Sequence, residues 1–128
     1  MSAVTETGRV DLEGLGSLHY LGIALALLSG VIHLILGVSF APDPLGLSFL
    51  FAGVVFLLAV AGVLVNYRRQ LLYKFGIPFT AGQIVLWYYL NFAAGDKAFP
   101  ADVGAIGAVD KIAQVALIAV LALLVQRA

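Results

Sequence analysis

Between Glu13 and Asp43 the chain carries no formal charge, and residues 16–37 within that stretch read GSLHYLGIALALLSGVIHLILG. A helix of about 20 apolar residues crosses the ~30 Å hydrocarbon core of a bilayer. In that solvent a spanning segment must satisfy its backbone hydrogen bonds internally, which leaves helices and closed barrels. A run this long and this apolar predicts a spanning helix over about 18–40. Three more segments follow at about 45–65, 71–92 and 106–125, so the expected fold is all-α, an integral membrane four-helix bundle. Residues 1–17 form a polar N-terminal tail, and 18–128 one transmembrane domain.

Composition agrees with that solvent. Hydrophobic residues are 62% of the 128 and charged residues 11%, with a mean hydropathy of +1.08, well outside the range of a water-soluble domain. Seven basic and seven acidic residues cancel, so nothing in the charge points to nucleic acid or to an acidic substrate. The absence of cysteine removes disulfides, thiolate catalysis and cysteine metal sites.

The connections differ in kind. Residues 41–44, APDP, predict a tight turn, because proline fixes φ and pushes its predecessor out of the helical region. Residues 66–70 form a short basic loop, and residues 93–104 the one long connection. The third segment contains Lys74, which can snorkel to the headgroups, and Pro78, which predicts a kink. The small residues of SFA at 39–41 resemble a signal-peptide cleavage site, but the preceding tail is acidic and a proline follows, so the first segment is read as a retained span.

Orientation follows from lysine and arginine. With four spans, Arg9, Arg68, Arg69, Lys74 and Arg127 share one side, and Lys97 and Lys111 the other. That asymmetry predicts a cell-membrane protein with both termini cytoplasmic.

His19 and His33 are the only histidines. Fourteen residues of helix rise about 21 Å and turn about 1,400°, close to four full turns, so both lie on one face near opposite sides of the bilayer. Gly16, Gly22, Gly30 and Gly37 border that stripe, with Ala26 midway. Two accounts of it stand open. In the first, the small residues let another helix approach closely, and the chain is a cofactor-free accessory or scaffold protein. In the second, the imidazoles ligate haem, with glycines giving clearance to the macrocycle.

On the second account the first helix resembles the ligand helices of the cytochrome b family, in which H-x13-H with nearby glycines holds two haems across the bilayer. That resemblance implies haem b ligated by His19 and His33, transmembrane electron transfer rather than catalysis on a substrate of its own, and a redox partner or larger complex. The family supplies four histidines where this chain has two, so the ligand count requires a homodimer through the first helix. Across its length, in phrases such as GVIHLILGVSF, YRRQLLY and GIPFTAGQIVLWY, the chain also resembles a family of small four-helix membrane proteins of halophilic archaea, which implies four spans and supplies no function.

The remaining polar residues carry simpler expectations. Asp110 and Lys111 read as the solvated start of the fourth helix, with a proton or ion role as the alternative. Gln83 and Gln114 are expected to donate hydrogen bonds between helices, and Ser29 to bond its own backbone. The first helix has no Asp or Glu, unlike that of small multidrug transporters.

Overall fold

The computed structural model describes residues 10–127, and among these every regular element is helical. The helices are α1 (Ser17–Phe40), α2 (Pro44–Leu64), α3 (Arg69–Tyr88), a π turn (Tyr89–Ala93) and α4 (Ala105–Gln126). Their ends fall within a few residues of the expected segments. Pro44 opens α2 at the first helical position, where its missing N–H costs nothing, and the Asp43 carboxylate caps that end by accepting from the Leu45 N–H at 3.1 Å. The α3 helix continues through Pro78.

α1, α2 and α4 are each long and apolar enough to cross a membrane. α3 has 20 residues, about 30 Å of helix, but Arg69, Gln70, Lys74, Thr80 and Gln83 dilute its apolar character. Neighbour relations close a ring in chain order: α1 packs on α2 and α4, α3 packs on α4 and more sparingly on α2, and among the described residues the backbones of the diagonal pairs stay apart. Each helix packs on its successor in the chain, an up-down-up-down arrangement.

The glycine stripe of α1 is spent inside this ring. A Cβ on Gly30 would lie 3.1 Å from the Phe56 Cβ of α2, and one on Gly53 of α2 would lie 2.9 Å from the Gly30 carbonyl oxygen. The two backbones therefore cross with glycine against glycine. A Cβ on Gly37 would meet Leu50 of α2 at 2.6 Å, and one on Gly22 would meet Val120 of α4 at 3.2 Å. What α1 exposes is a different set, including Leu21, Val31, Ile35 and Val38.

Residues 10–16 do not hang free as a tail. Arg69 donates to the carbonyl oxygens of Asp11, Glu13 and Val63, binding this segment and the last turn of α2 together. Asn66 Nδ2 adds a bond to Asp11 Oδ2. The guanidinium's fixed fork of donors suits several carbonyls at once, and residues 1–9 lie outside the described residues. The central core, on the same half of the bundle, joins Phe56 and Val63 of α2, Tyr73 of α3 and Leu117, Leu121 and Leu124 of α4.

Candidate functional site

The half of the bundle that bears the 41–43 turn has a polar interior. Its centre is Asp110, 4% exposed, on the second turn of α4. The Ser29 hydroxyl of α1 donates to Asp110 Oδ1 at 2.7 Å, and the Lys111 ammonium donates to Asp110 Oδ2 at 2.7 Å and to Gln114 Oε1 at 2.6 Å. Gln114 Nε2 in turn donates to Gln83 Oε1 of α3 at 3.2 Å. Lys111 Nζ also stands 5.2 Å from the centre of the Trp87 ring, within range of a cation–π contact. Both carboxylate oxygens and the ammonium are thus already engaged.

His33, 5% exposed, adjoins this network. Its Nδ1 lies 2.8 Å from the Ser29 carbonyl oxygen and 3.9 Å from Asp110 Oδ1. A carbonyl only accepts, so Nδ1 carries the proton, and in the neutral ring Nε2 holds the lone pair. Nε2 has no hydrogen-bond partner among the described residues and is not sealed off, whereas the enclosed, unpartnered polar atoms are Gln70 Oε1, Tyr73 Oη, Thr80 Oγ1 and Gln83 Nε2. His33 lines a cavity of about 230 Å³ together with Phe49, Phe79, Trp87 and Lys111, and Nε2 is its nitrogen without a partner there.

The cavity exists because α2 and α3 diverge. They touch where Leu72 fills the space beside Gly62, and again where the Phe56 and Phe79 rings meet at 5.4 Å. Beyond that point Ser48 and Phe51 of α2, Leu86 of α3 and Leu90 of the π turn line the space between them. His33 is seven residues from the end of α1 and Asp110 five from the start of α4, which puts the network about 8–10 Å inside the helix ends at 1.5 Å per residue.

His19, on the opposite half, has another role. Its Nδ1 accepts the Gly16 N–H at 2.9 Å, satisfying a backbone donor at the start of α1, so in the neutral ring Nε2 carries the proton. Its ring tilts against Tyr73 at 6.1 Å. Gly16 serves as the N-cap of α1. The two histidines share a helix face, as their spacing requires, yet hold opposite tautomers. Between them lies a second, largely apolar cavity of about 60 Å³ bordered by His19, Tyr73 and Thr80.

The expectations for the polar residues divide accordingly. Gln83 and Gln114 do pair between helices. Ser29 bonds Asp110 and not its own backbone, and Asp110 with Lys111 is an interior ion pair and not a solvated helix start. The signal for this was present in α4: the spacing of Leu117, Leu121 and Leu124, carried back toward the N-terminus, reaches Gln114 and Asp110 on the same inward stripe. Among the described residues no group of three or more metal-ligating side chains occurs. Comparison with family models, curated proteins and solved structures returns no match for this chain.

Proposed function

We propose that the chain is a four-span membrane protein, both termini cytoplasmic, whose working part is a proton-exchanging site at His33. The observation that carries this reading is a buried ion pair beside a histidine: the Asp110 and Lys111 side chains are 6% and 13% exposed, and His33 Nδ1 is 3.9 Å from the same carboxylate. Ionisable groups inside membrane spans are costly, and their retention points to function. Neutral His33 can take a proton at Nε2 from the cavity. The imidazolium so formed keeps its Nδ1–H on the Ser29 carbonyl and gains the nearby Asp110 carboxylate as counter-charge, so the proton is held without moving a helix. Asp110 is held in position for this by Ser29 and Lys111.

Support for the fourth span comes from the two faces of α3. Leu71, Phe75 and Val85 are exposed, while Tyr73 and Thr80 are buried, so an apolar face is left for lipid, with the exposed Lys74 near the helix start. The orientation rests on the five-to-two division of basic residues.

The experiment is infrared difference spectroscopy on the reconstituted protein across a pH step, with His19→Gln used to isolate His33. A His33 protonation band that changes when Asp110 becomes Asn is the expected result. A His33 that stays neutral throughout, or that titrates identically in Asp110→Asn, overturns the reading.

Haem ligation is a second reading, and one observation favours it at His33: an Nδ1–H held by a carbonyl with Nε2 turned to a cavity is how ligating histidines are oriented. For two haems across a first-helix dimer this arrangement does not fit. The His19 Nδ1 lone pair is engaged in the helix cap, and the clearance at Gly22, Gly30 and Gly37 is filled by Val120, Phe56 and Leu50. Its test is the visible spectrum of the dithionite-reduced protein: sharp b-type bands support it, and a colourless protein that takes up no haemin ends it.

A further inference from the structure

The free Nε2 of His33 and the shape of the cavity it faces specify a class of ligand. We propose that the cleft binds a lipid-soluble molecule whose head is a single hydroxylated aromatic ring, of the phenol or hydroquinone class, and whose apolar tail leaves between α2 and α3. This rests on the reading of His33 as a group that takes protons from the cleft.

Charge excludes the other head groups. Both Asp110 oxygens are engaged, by Ser29 and by Lys111, and the ammonium is shared among Asp110, Gln114 and the Trp87 face. No carboxylate is free for a cationic head, and no cation is free for an anionic one. The lining offers His33 Nε2 as an acceptor and Gln83 Nε2 as an enclosed donor without a partner, which together call for a neutral group that both donates and accepts, such as a hydroxyl.

Size and lining set the rest. A dry cavity of about 150 Å³ is known to hold benzene; about 230 Å³ therefore accommodates one ring with substituents. The walls are aromatic: Phe49 stands edge-on to His33 at 5.6 Å, and Phe79 and Trp87 border the same space. Offset and edge-to-face contacts with such walls favour a flat ring. Where α2 and α3 part, exposed Phe51, Leu86 and Leu90 offer an apolar exit, which suits an alkyl tail continuing into the bilayer.

Trp87 is the only tryptophan, so its fluorescence reports occupancy directly. The whole chain in lipid nanodiscs would be titrated with para-hexylphenol, with its methyl ether para-hexylanisole, and with hexylbenzene. The phenol should change Trp87 emission saturably, with an apparent affinity about tenfold or more above the ether, the worth of one hydrogen bond of ~1.4 kcal/mol. His33→Leu should bring the phenol down to the level of the ether, and Ser48→Phe, which fills the space from α2 without touching the polar network, should abolish the response. Equal or non-saturating responses to all three probes, or an unchanged preference for the phenol in His33→Leu, overturn the proposal. Infrared detection of His33 protonation in probe-free discs reads the proton site separately. A silent titration beside a protonating His33 therefore overturns the ligand class alone.

Discussion

Replacing Asp110 by Leu tests whether the charged start of α4 belongs to the interior. The substitution leaves Lys111 with a cation that is 13% exposed, Ser29 with an unmet hydroxyl at 0% exposure, and His33 without a nearby counter-charge. Removing one partner of a buried ion pair costs about 3–5 kcal/mol, and an unsatisfied buried hydroxyl adds about 1–3 kcal/mol. Interhelical hydrogen bonds in membranes run lower, averaging ~0.6 kcal/mol. A net loss of roughly 3 kcal/mol balances these tendencies. Replacing the pair together, Asp110→Leu with Lys111→Met, removes both charges and should recover most of that loss, because apolar replacement of a buried pair is often neutral or stabilising. Reversible unfolding in mixed micelles, followed by near-UV circular dichroism, measures both variants. A single variant within about 0.5 kcal/mol of the parent, as expected of an exposed position, would refute burial of the pair, as would a double variant no better than the single.

Three further outcomes follow from the packing and the topology. Gly30→Ala brings a Cβ to 3.1 Å from Phe56 Cβ and should cost about 1–3 kcal/mol by overpacking, whereas Gly82→Ala, with nothing within 4 Å, should be neutral or slightly stabilising in the same unfolding assay. His19→Ala should lower stability by ~1 kcal/mol or less through loss of the cap and leave the Trp87 response to para-hexylphenol intact; loss of that response would place His19 in the binding site. Single cysteines at Ser2, outside the described residues, and at Ala98 should react from opposite sides of intact cells, with Ala98 the accessible one, and equal labelling from outside would overturn the orientation.

Why some of this was legible in the sequence and some was not has a physical basis. Helix positions followed from apolar run length and from the prolines at 42 and 44, because the bilayer leaves a spanning chain almost no other backbone. The placement of His19 and His33 on one helix face followed from helical geometry alone. Their separate roles did not, since a tautomer is set by the atom each Nδ1 meets, the Gly16 N–H in one case and the Ser29 carbonyl in the other. The glycine stripe announced a close helix contact without naming the partner, and α2 supplied it through Gly53. Asp110 was obscured by position: five residues into a helix, a carboxylate reads as a solvated end unless the inward stripe of α4 is followed back to it.

The most direct test of the central claim is the state of the two imidazole rings. With selectively ¹⁵N-labelled histidine there are two residues to assign, and His19→Gln removes one. At neutral pH the account requires opposite neutral tautomers: Nδ1–H for His33, bonded to the Ser29 carbonyl, and Nε2–H for His19, with Nδ1 accepting from Gly16. It also requires the His33 signals, and not those of His19, to move when Asp110 becomes Asn. Two rings in the same tautomer, or a His33 indifferent to Asp110, would contradict it.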